Sequence, residues 1–503
     1  MTQHGPGPSS GAPTTGPHVS GTAQVVVASN RGPVSYALGA DGLLTASRGG
    51  GGLVAALSGA GNAVWVCAAL SDGDRLAVRA ARGECLPPLE GSGTAVRMLA
   101  IDPGTFARAY TSIANSTLWF VHHLLFNTSV EPSFGARFAR DWAAYEEYND
   151  EFAAAVAAEA AHGARVIVQD YHLTLVPRLL RERRPDLRIG HFSHTPWAPP
   201  DYFTVLPDGI GRAVLEGVLG ADRAGFLTRR WAQAFALCCA QVLGATVEGL
   251  DDAGPLSVRH DGVQTRLDVH SLGVDGPSLT ARAGQPDVLA RLESLREQVG
   301  DCQTIVRVDR TELSKNIVRG LEAYRELLVR YPQWRGRVVH IAFAYPSRHD
   351  LPVYREYTAA VQRLAQAIND EFGTPHWQPL LLDVQDDYAR SLAAYALAGV
   401  LLVNPIRDGM NLVAKEGPVV AEAGCALVLS REAGAAAELG ADALLVNPFD
   451  VIGTAQALHL ALSMGPAERT ARGARLAAAA TALPPAAWLA GQLAGLDPGD
   501  GQH

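Results

Sequence analysis

Apolar residues fall in short unbroken runs along the chain: AQVVVAS from Ala23, AVWVCAAL from Ala63, RVIVQD from Arg165, LRIGHFS from Leu187 and ADRAGFL from Ala221. A second series follows, with TIVRVD from Thr304, RVVHIAFA from Arg337, GVLLVNP from Gly399, CALVLS from Cys425 and ALLVNP from Ala443. Val, Ile and Leu runs without polar alternation suit strands covered on both faces. Helical patterns between the runs predict crossover connections and parallel sheets. The Gly- and Pro-rich stretch GVDGPSLTARAGQPD, Gly273 to Asp287, separates the two series. The expected architecture is α/β, with two doubly wound, Rossmann-like domains, 23–278 and 279–465, facing across a cleft where ligands sit beyond the carboxyl ends of strands. Residues 466–496 are alanine-rich, are divided at Pro484-Pro485, and are expected to be helices packing across both domains. No internal repeat interrupts this plan.

Composition narrows the class. A chain of 503 residues, 48% of them hydrophobic, exceeds what a single core of about 250–300 residues holds, so two domains are natural. A formal charge of −9 without a basic block argues against a nucleic-acid or anionic-membrane partner. The apolar run near Ser391–Val403 is shorter than the roughly 18 residues of a membrane span. Residues 1–22 are Gly, Pro, Ser and Thr without an apolar core, which predicts a disordered tail and no signal peptide. The six cysteines show no metal-ligand spacing, which points to buried thiols in a reducing, cytoplasmic setting; no metal or cofactor is expected. Among 42 basic side chains only Lys315 and Lys415 are lysines. A chain that otherwise uses arginine wherever positive charge suffices implies that these two places need a compact ammonium. The bland alternative is two solvated surface lysines.

Three places carry chemistry. The run RGGGG, Arg48 to Gly52, lets an anion approach the main chain, although a plain surface loop fits as well. Arg310 and Lys315 follow the strand TIVRVD in one loop, where two cations suit a diphosphate leaving group, and surface ion pairs with Asp309 or Glu312 are the alternative. The segment NPIRDGMNLVAKE, Asn404 to Glu416, is expected to turn sharply at Gly409 into a helix. Asp408 and Asn411 can then bind sugar hydroxyls, the first helix amides can face a diphosphate, and Glu416 can accept from ribose. A helix cap at Asp408 with solvated Lys415 and Glu416 is the structural alternative.

With these motifs assembled, the sequence resembles trehalose-6-phosphate synthases, retaining glycosyltransferases of family 20 with the GT-B fold, over roughly residues 23 to 490. SNR, GGL at Gly51, YTSIANSTLW, VQDYHL, GHFSHTPW, Arg310 with Lys315, YPSRHD, RDGMNLVAKE and VLSREAGAAAEL occur in family order. The resemblance implies an acceptor-binding N-terminal domain and a nucleotide-sugar-binding C-terminal domain. It implies that Arg31, Tyr110 and Arg348 hold the phosphate of glucose 6-phosphate and that Asp170 binds its sugar, with Trp119 and His194 lining the pocket. Gly51, Gly52, Arg310, Lys315, Asp408, Gly409, Met410, Asn411, Leu412, Val413 and Glu416 match the donor site. Reaction on one face is implied, with Arg310 and Lys315 stabilising the departing diphosphate, Asp408 orienting the glucosyl ring and His194 beside the reacting centre. No pair of carboxylates about 5 Å apart, as a retaining glycosidase needs, is evident in these motifs.

The chain departs from the family at three places. RTELSKN, Arg310 to Asn316, stands where many members have RLDYSKG; FSHTPW stands for LHIPFP; and Leu381–Tyr388 carries no legible base-binding motif. High Ala, Arg and Gly content with two lysines suggests a GC-rich genome, whose relatives use GDP-glucose as well as UDP-glucose, and the expectation leans to GDP-glucose. A pseudo-glycosyltransferase or glucosylglycerol-phosphate synthase of the same fold is the nearest alternative; an inactive sugar-phosphate sensor and a nicotinamide dehydrogenase are more distant. A homo-oligomer stays open.

Overall fold

The computed structural model describes residues 21–39, 43–48, 63–86, 94–251, 254–348 and 351–497. Gly51 and Gly52 lie outside them, as does nearly all of the expected tail. The first sheet contains β1 (Ala23–Ala28), β4 (Ala63–Ala68), β5 (Ala95–Leu99), β6 (Ala160–Gln169), β7 (Arg188–Ser193), β8 (Arg223–Phe226), β9 (Thr246–Glu248), β10 (Leu256–His260) and β11 (Val263–Val269). Its order is β5-β4-β1-β6-β7-β8-β11-β10-β9. The second contains β12 (Gln303–Arg310), β13 (Val338–Tyr345), β14 (Leu380–Asp383), β15 (Val400–Val403), β16 (Ala426–Ser430) and β17 (Leu444–Val446), in the order β14-β13-β12-β15-β16-β17. A hairpin of β2 (Val34–Leu38) and β3 (Leu44–Arg48) stands apart.

The central strands are apolar because both their faces are covered: every residue of β4, β15 and β16 is buried. Within the two large sheets the described ladders are parallel except at one edge, where β11, β10 and β9 pair antiparallel. The departure has a local cause. Asp261 and Gly262 take left-handed φ values of 49° and 79° between His260 and Val263, the two-residue turn that reverses a strand directly.

The parallel part of each sheet reverses its strand order once, between β1 and β6 and between β12 and β15. At such switch points the crossover helices leave on opposite faces and open a crevice beyond the strand ends. Ser29-Asn30-Arg31 and Asp170-Tyr171-His172 follow the first pair, whereas Thr311 to Lys315 and Asn404 to Asp408 follow the second. The two crevices meet. Trp231 Nε1 donates to Gly409 O at 3.0 Å, Arg407 Nη2 donates to Trp197 O at 3.0 Å, and Arg230 pairs with Glu432 at 2.6 Å.

The chain finally crosses back. Helix Pro466–Thr481 lies against helix Val413–Val420 of the second sheet's unit, whereas helix Pro485–Gly495 brings Trp488 edge-on to Phe192 of β7 at 4.8 Å. Arg188 secures that return by donating to Leu496 O at 3.1 Å.

Candidate functional site

A cleft of about 740 Å³ opens between the crevices and is lined from both sides. Arg31, Tyr110, Trp119, Asp170 and His194 contribute from the first unit, Arg310 and Arg348 from the second. Arg348 sits in a left-handed conformation, φ 49°, that its neighbours enforce. Its guanidinium lies 4.1 Å over the Trp119 ring, and it donates to Tyr354 Oη at 3.1 Å. Asp170 is also left-handed, φ 71°, and accepts from the His194 amide at 3.2 Å. Burial pushes its carboxyl up to about 6, against the opposing pull of the Tyr171 and His194 amides and Arg348. Burial drives His194 down to about 4, so its ring is neutral at pH 7, with Nε2 2.7 Å from Gln169 Oε1.

Lys315, Asp408 and Asn411 do not line this cleft: in the loop after Arg310, Lys315 Nζ donates to Asp408 Oδ2 at 2.6 Å, and Asn411 Nδ2 donates to the same oxygen at 3.1 Å. Lys315 is no surface lysine, since its side chain is 14% exposed. Arg310 does take the expected ion-pair partner, Glu312, at 3.3 Å; Asp309 instead pairs with Arg307 at 2.8 Å. Glu312 is wholly buried, also accepts from Ser347 Oγ at 2.9 Å, and is held below the usual carboxylate range by Arg310, Arg348 and Lys315, which overcome its desolvation. The departure at Asn316 also has a structural account. It is left-handed, φ 59°, where glycine would be at ease, and its Nδ2 donates to Asn404 O at 3.0 Å and Pro448 O at 2.7 Å.

The chain does bend at Gly409, and it enters helix Val413–Val420 past Asn411, which is left-handed, φ 77°, and whose Oδ1 accepts from the Ala414 amide at 3.2 Å. Gly409 is also required by space: a Cβ there would lie 1.9 Å from His194 O. Met410 packs in the core and lines neither the cleft nor the smaller pocket beside it.

A smaller pocket of about 440 Å³ continues past His194 and Leu412 to Glu416, with Leu272, Asp275 and Arg282 on its far wall and Trp488 closing one end. Trp488 was not expected, because no local motif announces that a C-terminal helix returns there. Tyr171, His172 and Gln169 in the larger cleft were likewise not singled out.

Burial pushes the Glu416 carboxyl up to about 7 from its ordinary 4.5, and the Tyr395 hydroxyl 3.5 Å away offsets only part of this. The folded state therefore binds a proton that the unfolded chain has released, and stability falls as pH rises from about 4.5 through 7. Glu416→Gln is expected to raise Tm near pH 8 and to leave it unchanged near pH 4. Thermal melts at both pH values check this, and equal shifts at the two would show a carboxyl that ionises freely.

A family model described as Glycosyltransferase family 20 matches residues 24–497. The chain is 36% identical over 366 residues to a bifunctional trehalose-6-phosphate synthase/phosphatase of Thermoproteus tenax, a match that covers 72% of this chain and 48% of that protein. It thus spans about half the length of the first curated relatives it matches. A trehalose-6-phosphate synthase of Mycobacterium sp. (strain JLS) is 34% identical over 463 residues, 89% of this chain and 91% of that one. Among solved structures, an alpha,alpha-trehalose-phosphate synthase (UDP-forming) from Burkholderia xenovorans in complex with glucose-6-phosphate superimposes with a TM-score of 0.81 at 26% identity, covering 94% of this chain and all of that one.

Proposed function

The chain belongs to glycosyltransferase family 20, and from that premise we propose that it moves glucose from a nucleoside-diphosphate glucose onto glucose 6-phosphate, making trehalose 6-phosphate with retention. The observation that carries this reading is the meeting of cations from both units in one cleft. Arg31 and Arg348, with Tyr110, suit the phosphate of a sugar phosphate, while Arg310 at the opposing strand end, with Lys315 five residues further along its loop, suits a diphosphate. The names of the relatives and the glucose-6-phosphate in the Burkholderia complex support the same pairing.

Under this reading the diphosphate lies against the first amides of helix Val413–Val420, where the helix dipole favours negative charge, and draws Lys315 away from Asp408. Asp408 is then free to accept from a glucosyl hydroxyl. The acceptor hydroxyl, oriented by Asp170 and the neutral His194, attacks on the face from which the diphosphate departs, and a donor phosphate oxygen takes its proton. Positioning and electrostatic stabilisation carry the rate, with no nucleophilic side chain needed. The smaller pocket is the place for ribose and base, with Glu416 accepting from ribose. For the base, the UDP-forming names of relatives favour uridine over the guanosine that composition suggests.

The test is incubation with glucose 6-phosphate and each of UDP-, GDP- and ADP-glucose, following nucleotide release and disaccharide phosphate. Product from UDP-glucose is expected. No product from any donor would overturn the reading and leave the inactive sensor. Product only with a cyclitol or glycerol phosphate acceptor would favour the coupling enzymes of the same fold.

A further inference from the structure

The two lysines of this chain are both largely buried, but only Lys315 shares a loop with Arg310. The Lys415 side chain is 0% exposed. Its Nζ donates to both Glu438 oxygens at 2.9 Å, to Leu272 O at 2.8 Å and to Ser271 Oγ at 3.3 Å, while Ser271 Oγ also bonds Glu438. These acceptors come from two separate segments. Glu438 follows β16, whereas Ser271 and Leu272 belong to the crossover from β11 into the second unit. Lys415 itself lies in the first turn of helix Val413–Val420, one residue before Glu416.

That placement joins two linings of one pocket. Leu412 and Glu416 line the smaller pocket from the helix, and Leu272 to Asp275 line it from the crossover. We infer that Lys415 is a positioning residue for the donor: its ammonium ties the helix to the crossover and sets the width of the slot that reads ribose and base. The inference rests on the nucleotide-sugar reading of this pocket. It also accounts for a lysine in a chain that writes nearly every other cation as arginine. A compact ammonium directs three protons towards acceptors spread around one point, whereas a planar guanidinium would need a wider and flatter cavity.

A buried ion pair can also be merely structural, and the experiment must separate the two. Lys415→Met strands Glu438 without its partner, so a lower Tm is expected whatever the role. Lys415→Met/Glu438→Met replaces the pair by apolar side chains and is expected to recover most of the Tm. If the tie to Leu272 positions the donor, both variants show a donor KM raised about tenfold or more, with the KM for glucose 6-phosphate within about twofold of wild type. Recovery of donor KM together with Tm in the double variant would overturn the inference, as would wild-type donor KM in the single one. Calorimetric binding of UDP and GDP, read without turnover, keeps the two readings apart. Nucleotide affinity present in wild type and lost in both variants, with no transfer by any of them, would retain the Lys415 role and sink the transferase. Absence of nucleotide affinity in wild type would sink both.

Discussion

Lys315→Met lowers kcat/KM about a hundred- to a thousandfold, and Lys315→Arg lowers it at least about tenfold although it keeps the charge. The first figure is the usual consequence of deleting one preorganised donor aimed at developing charge, about 2.7 to 4 kcal/mol. The second follows from shape. The Lys315 ammonium sits 2.6 Å from Asp408 on a short turn, Leu313–Lys315, that ends at left-handed Asn316, and its side chain is 14% exposed. A guanidinium cannot occupy that volume without displacing Asp408 or the turn. Under the proposed function, Asp408 neutralises the cation until the diphosphate of the donor takes its place. Removing Lys315 therefore also leaves Asp408 with Asn411 as its neighbour, and some stability is lost. Melting curves for both variants, run beside the kinetics, separate the two effects. Wild-type turnover in Lys315→Arg would show that charge alone suffices.

The legibility of this site in the sequence follows from the geometry of parallel sheets. Strands buried on both faces, such as β4, β15 and β16, announce themselves as apolar runs, and the residues immediately after the strands at the switch points are the ones a ligand meets. Arg31 and Asp170, singled out through the family resemblance, and Asp408, Arg310 and Lys315, singled out from their motifs, all lie at or just beyond the ends of those strands. What was not legible depends on distant parts of the chain or on backbone conformation. Val263–Val269 lies between β8 and β10, has exposed residues and lacks the apolar run, although Asp261-Gly262 before it is a turn signal. Gly409 was legible as a bend, but not that His194 O lies against it, a contact across 215 positions that no local pattern encodes. Lys415 stood out by residue type, yet its partners Ser271, Leu272 and Glu438 come from other segments and appear only when the chain is folded. Trp488 reaches the smaller pocket by the same kind of return.

Arg348→Gln raises the KM for glucose 6-phosphate about 30- to 150-fold, equivalent to about 2 to 3 kcal/mol for the loss of charge-assisted bonds to a phosphate, and leaves the donor KM within about threefold. The protein invests in this one orientation. Arg348 is left-handed, rests on Trp119 at 4.1 Å and donates to Tyr354 at 3.1 Å, so its fork is held before the ligand arrives. Burial opposes its charge, but Tyr171, Glu312 and Tyr354 keep it fully protonated. Arg348→Lys should recover only part of the loss, because an ammonium neither stacks on the indole in the same way nor presents a fork to two phosphate oxygens. The decisive control uses unphosphorylated glucose as acceptor. If Arg348 acts on the phosphate, wild type and Arg348→Gln converge on that substrate to within about threefold, since the group that distinguished them is absent from both reactions. A deficit of the same size with glucose and with glucose 6-phosphate would mean that Arg348 shapes the cleft through Trp119 and Tyr354 and does not read the phosphate.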